Sequence, residues 1–163
     1  MIVRPETQLD AQAIERVTVE AIRNASHTKQ FIVRELRRSN ALSVSMVAEA
    51  DGEIIGHVAV SPVHIGDGAE RWFGLGPISV LPGHQGKGVG TQLMEAALQK
   101  LRASSAQGCV VLGDPRYYGR FGFKPLAGLV LPGVPAEYFQ GLVLGTGIPQ
   151  GQVKYHDAFD AQS

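Results

Sequence analysis

Apolar residues recur at helical spacing in several parts of the chain. One apolar stripe is formed by Ile14, Val17, Ala21 and Ile22. Asp10 stands just before this stripe and can serve as the N-cap of a helix that buries one face. The further predicted helices span residues 28–38, 91–104 and 115–121.

Strand patterns lie between these helices. Asp51-Gly52 is a strong two-residue turn signal that joins two strands into a hairpin, and Pro62 is expected to end regular pairing beyond it. The predicted strands cover residues 2–4, 45–49, 53–60, 71–80, 109–112, 129–131, 140–144 and 153–156. A right-handed crossover through the helix at 91–104 would make the strands on either side of it parallel. We therefore expect an α/β fold, in the α+β sense.

Composition narrows the functional classes. The chain has 163 residues with a hydrophobic fraction of 44%, which suits a single domain over residues 1–163. Its formal net charge is zero, so no electrostatic feature points to nucleic acid or to an anionic membrane as a partner. No apolar run approaches the roughly 18 residues of a membrane span. Residues 1–6 lack a signal-peptide pattern and Cys109 is the single cysteine, so we expect a cytoplasmic protein without an internal disulfide.

A glycine-dense segment lies between the strand at 71–80 and the helix at 91–104, and reads Gln85-Gly86-Lys87-Gly88-Val89-Gly90-Thr91. Glycine lets the backbone approach a ligand closely, and the unpaired N–H groups at a helix start favour a phosphate or pyrophosphate. The segment is not a P-loop, because Gly88 follows Lys87 where a P-loop needs Ser or Thr. It is not a dinucleotide fingerprint either, because Thr91 stands where the third glycine should be.

Leu75-Gly76-Pro77 interrupts the strand that leads into this loop. Proline cannot donate to a strand ladder, and a glycine inside a strand often marks a bulge. The strand could therefore lie at the edge of the sheet. Alternatively, a bulge could separate it from its neighbour and free backbone groups to meet a ligand.

Two motifs in this order resemble those of the GNAT superfamily of acyl-CoA-dependent N-acyltransferases. The first is Ile78-Ser79-Val80 followed by the Gln85-x-x-Gly88-x-Gly90 loop, and the second is Tyr118-x-x-x-Gly122-Phe123 after the next strand. The resemblance covers residues 2 to about 125, and the tail is similar to a bacterial subgroup of the family. It implies the GNAT fold, a mixed central sheet of about seven strands, largely antiparallel with a central parallel splayed pair, flanked by helices.

The resemblance also implies roles for individual residues. Acetyl-CoA would be the cosubstrate, bound by Ile78, Ser79, Val80, Gln85, Gly86, Lys87, Gly88, Val89, Gly90, Thr91 and Asp114. Backbone groups of Ile78 and Val80 would hold the acyl carbonyl and the pantetheine amides, and the loop amides would bind the pyrophosphate, with Lys87 adding charge. Tyr118 would be the general acid that protonates the departing thiolate, although neighbouring aromatic residues also suit a packing role. Asp114 stands near where many members carry an asparagine.

The general base is missing from its usual place. Several family members carry a catalytic glutamate on this strand where the present chain has Gly74. Glu70, Asp114 and His57 are the alternatives for taking the amine proton, besides ordered water. Cys109 could carry an acyl group, but a buried thiol stays protonated and inert, so direct attack is expected. The histidines show no metal-ligand spacing, and we expect no metal.

The main functional hypothesis is transfer of an acetyl group from acetyl-CoA to a primary amine of a small molecule or protein. The alternatives are a non-catalytic acyl-CoA sensor, motivated by Gly74, and an enzyme that uses a longer acyl group or a non-amine acceptor. The resemblance implies that the acceptor pocket has walls from residues 28–38, the hairpin and the carboxyl-terminal segment. None of these has a diagnostic charge cluster, so the acceptor is not readable from the sequence, and the charged residues within 28–38 suit either a solvated face or a pocket wall. Family members often form homodimers, and no residue pattern decides that here.

Overall fold

Eight strands and four α-helices make up the described chain. The computed structural model describes residues 1–21 and 28–163. The strands are β1 (Ile2–Pro5), β2 (Val44–Ala50), β3 (Glu53–Ile65), β4 (Trp72–Val80), β5 (Gly108–Leu112), β6 (Leu129–Val130), β7 (Phe139–Val143) and β8 (Gly151–Tyr155). The helices are α1 (Ala11–Ala21), α2 (Lys29–Arg38), α3 (Val89–Ala103) and α4 (Pro115–Tyr118). The predicted position of Ile22 on the first helix lies outside the described residues.

The strands form a mixed sheet in which β4 and β5 are the central parallel pair. The order is β1-β2-β3-β4-β5-β7, and every pair along it except β4–β5 is antiparallel. The far end of β3 pairs with β8, which pairs in parallel with the short β6. The predicted fold, a largely antiparallel sheet with one parallel pair and flanking helices, is confirmed.

β3 continues past Pro62, and the prediction that this proline ends regular pairing is wrong. Pro62 opposite Phe73 is the last pair between β3 and β4, and Val63 opposite Tyr155 belongs to the ladder with β8. The strand therefore changes partners directly after Pro62. The missing N–H falls at the junction of two ladders, where the loss of one donor is tolerated.

A bulge in β4 lies at Gly76-Pro77. Val58 of β3 is opposite Ile78, whereas Val60 is opposite Leu75, so β4 has one more residue than β3 in this interval. Because β4 has neighbours on both sides, it is not an edge strand. The bulge interpretation is confirmed, and the edge-strand alternative is wrong.

On its other side, β4 separates from β5. The last pair between them is Gly74 opposite Val110. From Leu75 to Val80, β4 continues without pairing to β5, and β5 itself ends at Leu112. An opening therefore separates the carboxyl-terminal parts of the two parallel strands.

The helices cover both faces of this sheet. A Cβ on Gly56 of β3 would lie 3.0 Å from Leu93 Cδ1 of α3. The next residue, His57, is near Arg37 of α2, whose charge helps to lower the His57 pKa. Neighbouring strand residues point to opposite faces, so α3 and α2 lie on opposite sides.

Met94 of α3 is fully buried in the core, where a side chain of this size contributes on the order of 1.5–3 kcal/mol. Within the described ranges, no helix is long and apolar enough to span a membrane.

Asp10 is the last residue of a short 3-10 turn before α1. Its carboxylate accepts hydrogen bonds from residues that precede it and does not cap α1. The Thr7 backbone N–H donates to Asp10 Oδ2 at 2.7 Å, and Arg4 Nη1 donates to the same oxygen at 2.8 Å. Arg4 also reaches Glu49 of β2 at 2.9 Å. The bond from Arg4 is the main reason that the Asp10 pKa is lowered to about 2, against the opposing effect of burial. This cluster therefore ties β1, β2 and the start of α1 together.

Candidate active site

The glycine loop leads into the N-terminus of α3, which begins two residues earlier than predicted. α3 starts at Val89, with Gly88 as its N-cap at a φ of 85°, a left-handed conformation that favours glycine. The first N–H groups of the helix, up to Thr91, have no partners within the helix and favour an anion. The Gln85 side chain donates to the Val80 carbonyl at 2.9 Å and fastens the loop to the end of β4.

These donors border a cavity of about 330 Å³, which we call the loop cavity. It is lined by Val80, His84, Gln85, Gly86, Gly88, Gly90, Thr91, Tyr117 and Arg120. The fold thus brings together most of the residues that the resemblance assigns to the pyrophosphate. Lys87 and Val89 are not among the lining residues, because Lys87 is exposed on the outer side of the loop and the Val89 side chain is buried in the core.

The loop cavity is also bordered by Arg120, inside the second motif, and by Tyr117, directly before it, neither of which was predicted to bind the donor. Arg120 Nη2 lies 3.4 Å from Thr91 Oγ1, and its guanidinium carbon lies 4.7 Å from the Tyr117 ring centroid. The Tyr117 hydroxyl lies 3.0 Å from the place of a Cβ on Gly90. The resemblance implied that Lys87 supplies the charge, because Lys87 lies within the glycine loop itself. Arg120 could have been found from its place inside the second motif.

The backbone of β4 directs donors into the opening beside β5. The Leu81 N–H donates to the Ile55 carbonyl at 2.9 Å, so position 81 bonds toward β3. Alternate strand residues bond in opposite directions, so the N–H groups of Ile78 and Val80 point away from β3. Ser79 belongs to the other set, and its buried hydroxyl has no hydrogen-bond partner in the described part of the chain.

Tyr118 stands at the end of α4, beyond the carboxyl end of β5. Its ring packs on Gly113, where a Cβ would lie 2.5 Å from Cε2, and its centroid is 5.0 Å from Tyr117 and 6.2 Å from Phe123. Burial, with a smaller effect of Tyr117, raises the Tyr118 pKa to about 12. The phenol is therefore protonated at neutral pH, as a proton donor must be. Tyr118 is not among the residues that line the loop cavity.

The three residues predicted as alternative general bases, Asp114, His57 and Glu70, do not lie at the loop cavity. Asp114 accepts the Arg116 N–H at 2.9 Å as the N-cap of α4, and this bond lowers the Asp114 pKa together with the arginine side chain. His57 is buried with Nε2 2.8 Å from Ser45 Oγ, and burial lowers its pKa to about 3. Glu70 is exposed in the segment before β4. None of the three lines the loop cavity.

Cys109 is fully buried in β5, and burial raises the pKa of its thiol to about 12. A thiol in that state is a poor nucleophile, which agrees with direct attack on the thioester. Across residues 1–21 and 28–163, no group of three or more His, Cys, Asp and Glu is placed to hold a metal ion.

A second cavity, of about 430 Å³, lies on the α2 side of the β4 bulge, and we call it the bulge cavity. Its lining includes Leu75, Gly76 and Pro77 of β4, Leu112 of β5, Lys29 and Ile32 of α2, and Leu131, Val153, Tyr155 and Phe159 from the tail. Most of this wall is apolar. The bulge and the end of β5 therefore connect this cavity to the opening between the two strands.

The arginines of α2 form ion pairs and do not border the bulge cavity. Arg34 pairs with Glu15 at 2.7 Å and Arg38 with Glu35 at 2.7 Å. Arg37 reaches Glu6 at 2.9 Å. α2 thus contributes to the cavity wall through the start of the helix, while its arginines occupy the outer faces.

The separated parallel strands, with a glycine loop and helix N-terminus at their open end, define the class of acyl-CoA-dependent N-acyltransferases. A family model described as the acetyltransferase (GNAT) family matches residues 11–123. The chain belongs to this family.

Relatives with the same fold support this assignment. The chain is 30% identical over 167 residues to the uncharacterized N-acetyltransferase YhbS of Escherichia coli strain K12, covering 98% of this chain and 99% of that protein. It is 46% identical, with a TM-score of 0.87 and 98% and 97% coverage, to a GNAT family acetyltransferase from Brucella melitensis in complex with acetyl-CoA. The solved YhbS from Escherichia coli in complex with CoA is 31% identical, with a TM-score of 0.87 and 99% and 93% coverage.

Proposed function

We propose that the protein transfers an acetyl group from acetyl-CoA to a primary amine of a small molecule or protein by direct attack. The observation that carries this proposal is the end of β4–β5 pairing beyond Gly74, next to the loop cavity. The similar structures in complex with acetyl-CoA or CoA support acetyl-CoA as the donor. The absence of a metal requirement stays a prediction.

The donor is assigned to the opening and the loop. The N–H groups of the glycine loop and of the first turn of α3 bind the pyrophosphate, with Arg120 as the nearby cation. The pantetheine arm runs along β4 and meets the outward N–H of Val80. The N–H of Ile78 donates a hydrogen bond to the thioester carbonyl oxygen and stabilises the oxyanion that develops as the amine attacks.

Tyr118 is the proposed general acid. Its phenol protonates the sulfur as the carbon–sulfur bond breaks, which makes CoA a neutral leaving group. The raised pKa of Tyr118 supports this role, because the hydroxyl retains its proton across the physiological range. Packing against Tyr117 and Phe123 fixes the ring in one orientation.

The variant Tyr118→Phe tests this assignment. We expect kcat to fall by roughly 10²–10⁴-fold, the usual contribution of a positioned acid, with acetyl-CoA affinity within about twofold of wild type. Release of the CoA thiol with a panel of amines gives the rate, and calorimetry gives the affinity. Tyr138→Phe is the matched control, because that ring is 44% exposed and borders neither cavity.

An unchanged rate in Tyr118→Phe would remove the acid role of this residue. Binding of acetyl-CoA by the wild type without thiol release from any amine would contradict the enzyme and favour the acyl-CoA sensor.

A further inference from the structure

Tyr155 ends β8 and lies against β4 at the start of the opening. It pairs with Val63 of β3, and its ring meets Phe159 edge to face with centroids 4.9 Å apart. A Cβ on Gly74 would lie 2.9 Å from Tyr155 Cε2. The ring thus occupies the space into which any side chain at position 74 would extend.

The hydroxyl of Tyr155 is buried and has no hydrogen-bond partner among the residues described. An unpaired buried hydroxyl is unfavourable in the free protein, which suggests that a bound molecule completes it. Burial raises the Tyr155 pKa, with further contributions from Cys109 of β5 and from Tyr118. The phenol is therefore protonated, and it lies near enough to Cys109 of β5 and Tyr118 of α4 for their charges to affect it.

Tyr155 also lines the bulge cavity. The volume of about 430 Å³ is within the usual range for a small-molecule site, and the wall is mainly apolar. The ionisable residues at this wall are Lys29, Lys154, His156 and Asp160. His156 Nδ1 accepts the Ala158 N–H at 3.0 Å, and Asp160 is exposed, so neither is aimed at the opening as a base.

We propose that the acceptor is a primary amine with an apolar body, bound in the bulge cavity with its nitrogen on the Tyr155 hydroxyl. This inference rests on the proposed acetyl transfer and specifies the acceptor side of the same site. Apolar side chains such as Ile32 and Phe159 cover the body of the amine. Lys29 at the wall disfavours a second cationic group, whereas Lys154 is paired with Asp157 at 3.5 Å.

The charged amine first releases one proton to solvent, and the reaction of the neutral amine then moves one proton from nitrogen to sulfur. The amine nitrogen forms a bond to the carbonyl carbon, and the carbon–sulfur bond breaks with its electron pair going to sulfur. Tyr118 gives its proton to the sulfur, and the Tyr155 oxygen accepts the proton that the nitrogen loses. The Tyr155 hydroxyl proton reaches Tyr118 through water, because the two hydroxyls are not hydrogen-bonded to each other. Both phenols end neutral, so the chain needs no carboxylate at position 74.

A comparison of two amines tests the acceptor class. We expect kcat/KM for 2-phenylethylamine to exceed that for spermidine by at least about tenfold, because only the first has an apolar body and a single charge. Rates are measured by thiol release at fixed acetyl-CoA. Equal or faster acetylation of spermidine would overturn the apolar acceptor.

The variant Tyr155→Phe tests the contact with nitrogen. We expect kcat with 2-phenylethylamine to fall at least about tenfold, while KM for acetyl-CoA stays within about twofold. The melting temperature should be unchanged or higher, because the variant removes only a buried hydroxyl that lacks a partner. Tyr138→Phe is again the control. A kcat within about twofold of wild type would overturn the proposal, since a packing ring alone is preserved in Phe.

The double variant Tyr118→Phe/Tyr155→Phe tests the shared proton path. If both phenols serve one transfer, the double variant loses no more rate than the slower single variant. Losses that multiply would contradict the path. Failure of the wild type with every amine would contradict acetyl transfer itself, whereas normal turnover that is insensitive to Tyr155→Phe would contradict only this inference.

Discussion

Two cations near the glycine loop differ in how they are held. The Arg120 guanidinium stacks on Tyr117 and lies within 3.4 Å of the Thr91 hydroxyl, so it is oriented at the wall of the loop cavity. Both side chains are exposed, but Lys87 is not part of that wall. A planar guanidinium that is already positioned loses less freedom on binding a phosphate than a mobile ammonium does. Arg120 should therefore contribute more to donor binding.

We expect Arg120→Ala to weaken acetyl-CoA binding by about tenfold, or about 1.4 kcal/mol, and Lys87→Ala by about twofold or less. Calorimetry at constant ionic strength measures both. Acetyl-pantetheine, which lacks the pyrophosphate, is the control ligand and should bind equally to all three proteins. An equal loss for both ligands in Arg120→Ala would mean that this residue supports the fold of the site and not the phosphates.

Gly74 illustrates what the sequence could not explain at the scale of a residue. A glycine in the strand predicted nothing about its neighbours, and its meaning depends on the Tyr155 ring packed against it. The two residues meet because β3 changes partners after Pro62 and carries β8 to the side of β4. The partner of Gly74 was thus fixed by a long-range contact that local pattern does not encode.

At the scale of elements, local pattern predicted the helices and the hairpin well. Apolar periodicity and turn residues are properties of neighbouring positions, and these elements have strong versions of both. α3 begins at Val89 and not at the predicted Thr91, since Gly88 caps the helix and Gly90 lies inside it. The extension of β3 past Pro62 was not predicted, because a proline disrupts a strand only where the ladder needs an N–H at its position.

The start of α1 leads to a prediction about acid stability. The folded-state pKa of Asp10 is about 2, below an unfolded value of about 3.9, so the ionised carboxylate stabilises the folded protein above pH ~4. That contribution is lost as the pH falls from about 4 to about 2. We expect Asp10→Asn to cost about 1–2 kcal/mol at pH 7, after allowance for the 30% exposure of the Arg4 side chain, and almost nothing at pH 2.

Urea unfolding as a function of pH measures this difference. Glu53→Gln is the control, because Glu53 pairs with Arg16 at 3.3 Å in an exposed position and should change stability little. A penalty for Asp10→Asn that stays the same between pH 7 and pH 2 would show that the charge of Asp10 is not its cause.

At the scale of the molecule, two cavities lie on opposite faces of the sheet, near the opening between β4 and β5. The loop cavity lies at the start of α3, and the bulge cavity lies on the side of α2, the opposite face of the sheet. Gly76 and Pro77 of the β4 bulge line the bulge cavity, and Val80, at the end of the part of β4 that does not pair with β5, lines the loop cavity. The resemblance predicted the donor side, because its residues are contiguous. The segments that wall the proposed acceptor side, 28–38 and the tail, were expected from the resemblance, but the individual residues of that wall became visible only in the fold, because the segments are far apart in the sequence. A cytoplasmic location and a homodimer stay predictions.

The stoichiometry of the products tests the central claim most directly. Wild-type protein is incubated with acetyl-CoA and 2-phenylethylamine or another amine from the panel, and both CoA and the acetylated amine are quantified by mass spectrometry. Direct transfer predicts one acetylated amine for each CoA formed. CoA release without the acetylated amine, or stable acetyl-CoA binding without either product, would contradict it.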